Sequence, residues 1–497
     1  MRNRGVGSWP ARRARMSPHR VALVHVRREW TFADVSGRST RLAYVLRERG
    51  VRAGDRVAFL GPNRPEFLET MFAAGLLGAV FVPLNTRLAV PELATIVADC
   101  GATALVHSSE HADAAAALGV ADPIAAPYEA VLAAAPTAPL DEPVDPADPC
   151  LLLYTSGTTG RPKGVVLTHA NLAWNAFNLL LDVDLTADEV ALVSAPMFHV
   201  AALNQTVLPT FLKGGRSVLV PRFDPAGSLR LIATHGVTLM FGVPAMFQTI
   251  AACDEWAGAD LSTVRTLMCG GAPVPESLIA TYHRRGLTFL QGYGMTEAAP
   301  GVLFLRAEES RRRAGSAGTA VFFGDVRVVR PDGTDVAPDE PGEILVRGPN
   351  VSPGYWNRPD DTAAAFDGDG WFHSGDVAVV DGDGFAHVRD RIKDMIISGG
   401  ENIYPAEVED ALSGHPDVAE CAVIGVPDDR WGEVGRAVVV PRTGSTVDPA
   451  QVLAFLDGRI ARYKIPKSVV LTETLPRTAS GKVLKSRLRT THGEETT

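Results

Sequence analysis

The chain has 497 residues, too many for one ordinary domain and suited to two to four. Hydrophobic residues make up 46% and charged residues 21%, the usual balance of a soluble globular protein. The formal net charge of −9 argues against general nucleic-acid binding. A nucleotide ligand stays open, because phosphates are held by local donors rather than by total charge.

The arginine-rich stretch Met1 to Arg20 hints at a transit peptide, but Ser8-Trp9-Pro10-Ala11-Arg12-Arg13 reads better as the start of a surface helix. No apolar h-region follows and no run of about 18 apolar residues occurs, so no integral membrane segment is expected. The C-terminal Gly-Glu-Glu-Thr-Thr is neither a peroxisomal nor an ER address. Five scattered cysteines (Cys100, Cys150, Cys253, Cys269 and Cys421) form no C-x-x-C pair. That argues against a disulfide framework or a structural zinc site and for a cytoplasmic protein.

From Asp55 onward, short β-rich runs alternate with helical patterns. Arg56 to Leu60 reads as a strand, and Glu66 to Leu77 as a helix with Phe67, Met71 and Ala74 on one face. Ala104 to His107 and Cys150 to Tyr154 read as buried strands. The expected fold class is α/β, with layered and largely parallel sheets. The Ala/Pro-rich stretch from Ala121 to Pro146 reads as a surface connection with a short helix near Tyr128 to Ala134. After Pro300, Val326 to Val329 and Ile344 to Arg347 look like strands joined by Pro-Asp-Gly turns, a small β-rich subdomain. The expected division is residues 1–390, a large N-terminal domain, and 391–497, a small α+β domain. In the latter, helices are expected over Ala406 to Leu412 and Val452 to Ala461, and strands over Val418 to Ile424 and Ala437 to Val440. The Asp367-Gly368-Asp369-Gly370 and Asp381-Gly382-Asp383-Gly384 runs lack the terminal Glu of a calcium loop and read as turns.

The most informative stretch is Tyr154-Thr155-Ser156-Gly157-Thr158-Thr159-Gly160-Arg161-Pro162-Lys163-Gly164, after the apolar Leu151-Leu152-Leu153. Glycines let backbone N–H groups turn toward an anion, hydroxyls donate, and lysine supplies charge, a set suited to a triphosphate. It is not a Walker A loop, since Lys163 is followed by Gly164 rather than Ser or Thr. The string resembles the signature loop of the adenylate-forming superfamily: acyl-CoA synthetases, peptide-synthetase adenylation domains and luciferases. The likeness runs from about Trp30 to Leu488, with the family's motifs in order.

The resemblance implies a set of roles. Thr155, Ser156, Gly157, Thr158, Thr159 and Lys163 would hold ATP phosphates. In Gln291-Gly292-Tyr293-Gly294-Met295-Thr296-Glu297, Tyr293 would pack on adenine, Thr296 contact the α-phosphate and Glu297 ligate Mg²⁺, an ion that prefers oxygen donors. Gly271 and Ala272 would also border the nucleotide. Asp376, in Trp371-Phe372-His373-Ser374-Gly375-Asp376, and Arg391 would hold the ribose. Lys482, in Pro476-Arg477-Thr478-Ala479-Ser480-Gly481-Lys482, would reach from the C-terminal domain and bridge the acid carboxylate and the α-phosphate. Its charge and that of Mg²⁺ would offset the crowding of negative groups, and no protein nucleophile is needed.

A thiolation step would follow once the small domain swings about Lys393. The segment Ser398-Gly399-Gly400-Glu401-Asn402-Ile403-Tyr404-Pro405 would then face the site and line a coenzyme A tunnel. His199, in Pro196-Met197-Phe198-His199-Val200, would gate the acyl site. Val243, Met246, Gly270, Gly271, Ala272 and Pro300 are candidate walls, with Asn204 and Gln205 adding polarity if they face inward. The expectation is an AMP-forming acyl-CoA synthetase for a fatty or aromatic acid, using ATP, Mg²⁺ and coenzyme A, with the question of a homodimer open. The rival readings are an adenylating enzyme with another acceptor and a silent nucleotide-binding relic. A relic should lose Lys482, Glu297 or Asp376, and all three are present.

Overall fold

The computed structural model describes residues 2–156, 162–398, 401–428, 430–445, 447–478 and 481–493, the side chain of Ser156 excepted. A large N-terminal part precedes a smaller C-terminal one. One sheet of seven strands runs in the spatial order Gly354–Tyr355, Pro162–Thr168, Pro149–Ser156, Val80–Leu84, Arg56–Leu60, Ala102–Ser108, Ile124–Ala126. Its inner strands pair in parallel. Their continuous apolar runs suit strands covered on both faces. Pro149–Ser156 and Pro162–Thr168 instead form an antiparallel hairpin, which the Gly/Thr-rich string joins in sequence.

A second sheet of nine strands has a parallel centre that includes Phe289–Gly294, Thr266–Cys269, Leu239–Gly242 and Val190–Val193. Gly301–Phe304 returns antiparallel beside Phe289–Gly294. One apolar cluster joins the two sheets, with Phe59, Phe81 and Leu151 from the first and Leu23, Val193 and Leu219 from the second. Phe67 stands edge-on to Phe59 and Phe81 at 5.3 and 5.0 Å. Each such pair contributes about 0.5–1.5 kcal/mol beyond its buried area.

Four sequence expectations need correction. The helix Pro65–Leu76 does not bury one face only, because every residue of it is buried between layers. Its Glu69 is offset by Arg38 at 2.5 Å and by the Tyr128 hydroxyl at 2.6 Å. The stretch 121–146 is not merely a surface connection: Ile124–Ala126 is an edge strand and Tyr128 is buried. The N-terminal helix Trp9–Met16 buries Trp9 and Pro10, and Gly7 lies so close to the backbone of Gly75 that a Cβ there would stand 2.2 Å from it. The helix expected to reach Ala461 ends at Phe455, and Gly458 turns the chain at φ +72°.

The smaller sheets follow. Asp325–Val329, Pro341–Arg347, Phe372–Val380 and Ala386–Arg391 form an antiparallel sheet of four. The two Asp-Gly runs are turns: Asp367 accepts from the N–H groups of Asp369 and Trp371, and Asp381 from those of Asp383 and Phe385. In the C-terminal part, Val418–Asp428 and Gly432–Pro441 form a long hairpin extended by Ile396–Ser398 and Ser468–Leu471. Helices Pro405–Ser413 and Pro449–Phe455 cover one face, and Lys485–His492 the other. Among the described residues, no helix is long and apolar enough to cross a membrane.

Candidate active site

The strand Phe289–Gly294 ends in the turn that carries Thr296 and Glu297. Gly294 is required there, since a Cβ would stand 1.9 Å from the Pro300 carbonyl oxygen. Three buried asparagines hold the turn. Asn350 Nδ2 donates to the carbonyls of Ala298 and Gly301, Asn204 donates to Ala299, and Asn175 Oδ1 accepts the Gly301 N–H. Thr296 opens the short 3₁₀ turn Thr296–Ala298, and Met295 packs beneath it. Glu297 Oε1 accepts from the Tyr355 hydroxyl at 3.0 Å. A carboxylate fixed this way supplies the hard oxygen donor that Mg²⁺ selects.

Asp376 and Arg391 are cross-strand partners in the hairpin Phe372–Val380 and Ala386–Arg391. Arg391 Nε lies 3.3 Å from Asp376 Oδ1, and the Tyr293 hydroxyl donates to Asp376 Oδ2 at 2.6 Å. Tyr293 thus ties the nine-stranded sheet to the four-stranded one. Burial first, and then the Asp376 charge, push its hydroxyl far above the usual tyrosine range, so it stays a donor. The neighbouring His373 pairs with Glu343 at 3.0 Å and does not join the site.

In the Gly/Thr-rich string, Gly157, Thr158 and Thr159 lie outside the described residues, as does the side chain of Ser156. Thr155 and Lys163 pair in register across the hairpin. Lys163 Nζ lies 2.7 Å from Asp361 and 5.4 Å from the Tyr355 ring. Tyr355 therefore turns its face to Lys163 and its hydroxyl to Glu297.

Lys482 comes from the C-terminal part into this cluster. A Cβ built on Gly481 would stand 3.7 Å from Val243. The Lys482 ammonium is held below the ordinary lysine range, by desolvation first and by Arg391 and Lys393, against the pull of Asp376 and Glu297. Lys482 as a residue is exposed, so only the direction of this shift bears on its chemistry. One cation from the small part is thus within electrostatic reach of the ribose and metal candidates of the large part. That arrangement suits a reaction that gathers negative charge.

Gly270, Gly271, Gly292, Tyr293, Gly294 and Pro300 line one cavity, walled on its far side by Asn178, Asp182, Gln205 and Phe304. Of the other candidate walls, Met246 is buried in the core below and Val243 faces Gly481. Ala272 follows Gly271 without lining the cavity, and His199 stacks edge-on to Phe198 at 4.8 Å outside the lining. Gln205 lines the cavity, whereas Asn204 does not and turns its Nδ2 to the Ala299 carbonyl. Gln291 precedes the cavity glycines, pairs in register with Cys269, and passes its carbonyl to the Leu305 N–H.

Beyond Arg391, Lys393 lies in the turn Ile392–Asp394, its ammonium held below the ordinary range by burial first and by Arg391. Asp394 is gripped by Arg489 at 2.8 Å. Ser398 ends a strand paired with Glu401–Ile403, and Tyr404 caps the helix Pro405–Ser413. Gly399 and Gly400 lie outside the described residues.

Sequence reasoning missed Tyr355, Asp361, Asn175, Asn350 and the ion pair of Asp182 with Arg306 at 2.8 Å. Each acts on a residue far away in the chain, so local spacing carried no sign of them. The run Gly354-Tyr355-Trp356 between two prolines was the nearest available hint.

A family profile described as AMP-binding enzyme matches residues 10–356, and one described as AMP-binding enzyme C-terminal domain matches residues 407–482. The chain belongs to this family of adenylate-forming enzymes. It is 59% identical over 493 residues to a feruloyl-CoA synthase of Amycolatopsis sp, covering 99% of this chain and all of the relative. It is 44% identical to an indoleacetate–CoA ligase of Aromatoleum aromaticum, covering 97% of each. Its fold matches the crystal structure of an anthranilate CoA ligase in complex with anthranoyl-AMP at a TM-score of 0.94 and 26% identity, covering 99% of this chain and 98% of that one.

Proposed function

We propose that this protein makes the coenzyme A thioester of an aromatic carboxylic acid. It is an AMP-forming acid–CoA ligase that uses ATP and Mg²⁺. In the first step an acid oxygen bonds to the α-phosphorus of ATP, the bond to the pyrophosphate oxygen breaks, and acyl-AMP forms. In the second the coenzyme A sulfur bonds to the acyl carbon, its proton passes to solvent, and AMP leaves.

The observation that carries the reading is that the small part places Gly481 against Val243 of the large part, with Lys482 beside it in electrostatic reach of Asp376, Arg391 and Glu297. In our reading Lys482 bridges carboxylate and α-phosphate, with Thr296 beside it. Asp376 and Arg391 hold the ribose, and Tyr293 flanks the adenine while its hydroxyl steadies Asp376. Thr155 to Lys163 take the phosphates. Glu297 holds Mg²⁺, which neutralises phosphate charge when bound. Lys393 is the pivot near a boundary at 390/391, and Ser398 to Tyr404 line the coenzyme A path.

The aromatic assignment draws on the feruloyl and indoleacetate relatives and on the slot itself. Gly270, Gly271, Gly292 and Gly294 leave a wall without side chains, open to a flat ring. Asp182, paired with Arg306, puts a charged group on the cavity wall, which suits a ring better than a long fatty chain. Five free cysteines support a reducing cytoplasm as the compartment. Size-exclusion chromatography tests the homodimer. The test of function is a panel of aromatic and aliphatic acids with ATP, Mg²⁺ and free coenzyme A, read by mass spectrometry. Thioesters of aromatic acids are expected; thioesters of long-chain acids alone would overturn the aromatic assignment.

A further inference from the structure

The cavity wall formed by the helix His169–Asp182 and the neighbouring helical segment Leu203–Val207 carries four polar side chains, Asn175, Asn178, Asp182 and Gln205. Asn175 on this helix has both ends of its amide engaged, with the Gly301 N–H and the Asn204 carbonyl. Asp182 is engaged by Arg306. Asn178 and Gln205 are not fully engaged. Asn178 is 1% exposed, and its Oδ1 accepts the Phe323 N–H at 2.8 Å. That bond sets the orientation of the amide, because only an oxygen can accept there. Its Nδ2 is shielded from solvent and meets no acceptor among the described residues. Gln205 offers the complement. Its Oε1 is shielded and meets no donor among the described residues, while its Nε2 lies toward Gly301.

Buried polar atoms are rarely left without partners in native proteins. Leaving one unpaired costs about tenfold to a hundredfold in an equilibrium constant. One orphan donor and one orphan acceptor therefore share a wall of the cavity that receives the acid. We propose that Asn178 and Gln205 are specificity-determining residues that hydrogen-bond a neutral polar substituent on the ring of an aromatic acid. Asn178 donates to a hydroxyl or ether oxygen, and Gln205 accepts from a ring hydroxyl. The proposal rests on the aromatic reading given above and names the substrate class within it.

Dimension and charge agree. From Asn175, beside the turn that leads back to Glu297, to Asp182 is seven residues of helix, a rise of about 10 Å. That is the reach of an aryl ring joined to its carboxylate by a short chain, with the polar substituent on the side away from the reacting carbon. The Arg306 charge is matched by Asp182, so the wall holds no spare cation for a second carboxylate. A neutral substituent fits and an ionised one does not.

The experiment measures kcat/KM for 4-hydroxycinnamate and for cinnamate with ATP, Mg²⁺ and coenzyme A, in the full chain and in two variants. The readout is the ratio between the two acids in each protein, so a general loss of activity cancels. Gln205→Met removes the acceptor at similar length. Asn178→Asp keeps the acceptor that faces Phe323 and exchanges the donor for a second acceptor. The natural chain should favour the hydroxylated acid by about tenfold or more, and each variant should cut that ratio by about tenfold. A ratio that stays the same in both variants overturns the proposal while leaving the aromatic reading intact. Failure of every aromatic acid, with turnover of aliphatic ones, overturns both.

Discussion

Tyr355→Phe deletes one oxygen atom and keeps the ring. The ring remains 5.4 Å from the Lys163 ammonium, so that contact survives. The lost bond is the 3.0 Å donation to Glu297 Oε1. A hydrogen bond to a charged group is worth about 1.5–3 kcal/mol, which corresponds to roughly tenfold to 150-fold in rate. Both residues are only half-buried, so water partly replaces the hydroxyl and the lower end applies. A loss of about tenfold in kcat/KM for Mg-ATP is expected. Pyrophosphate exchange measured across a Mg²⁺ titration reads it, and the Mg²⁺ requirement should rise. Thiolation of a supplied acyl-adenylate, which needs no Mg-ATP, should stay near its original rate. Exchange unchanged at every Mg²⁺ concentration would refute the argument that Tyr355 positions a metal carboxylate. Equal losses in both half-reactions would point to general damage instead.

Four further outcomes follow from the same geometry. Lys482→Ala should abolish adenylation and largely spare thiolation of supplied acyl-adenylate; equal losses in both would remove its assigned role. Because the Lys482 ammonium is held below the ordinary lysine range, kcat/KM for adenylation should fall as pH rises through that lowered value, and Lys482→Arg should move the fall to higher pH. Lys393→Pro should spare adenylation and slow thioester formation, and an unchanged overall rate would argue against the pivot. His169 is buried, accepts the Val6 N–H at Nδ1, and is held down to about 4, chiefly by burial. The unfolded chain, with an ordinary histidine near 6.5, binds the proton first, so stability should drop by about 3 kcal/mol as pH falls from roughly 6.5 to 4. Urea midpoints for the natural chain and His169→Gln measure this, the variant showing a shallower fall.

Much of the site was legible because chemistry concentrates in short strings. The glycines at 292 and 294 read as room for a close approach to the nucleotide, whereas the approach seen at Gly294 is to the chain's own Pro300 carbonyl. The Asp-Gly-Asp-Gly run at 381–384 was readable as a turn, but not the hairpin it closes, which brings Asp376 opposite Arg391. The long-range supports were not legible. Tyr355 meets Glu297 across 58 positions, and Lys163 meets Asp361 across 198. No local period encodes such a meeting, since tertiary packing alone decides it. The same limit explains the helix at residues 65–76. An apolar stripe with Glu66 and Glu69 reads as amphipathic, yet the Arg38 and Tyr128 partners that let Glu69 be buried lie elsewhere in the chain. The acyl walls were the weakest reading for a related reason. Side-chain direction separates Gln205, which lines the cavity, from Asn204, which turns to Ala299, although the two are adjacent.

The central claim is that this chain activates an acid through an adenylate and passes it to coenzyme A. The most direct measurement follows one turnover with an aromatic acid, ATP, Mg²⁺ and coenzyme A, with each product quantified by mass spectrometry. The account predicts equal amounts of acyl-CoA, AMP and pyrophosphate, with acyl-AMP accumulating when coenzyme A is withheld. Formation of ADP and phosphate in their place, or no pyrophosphate exchange with any acid, would contradict it.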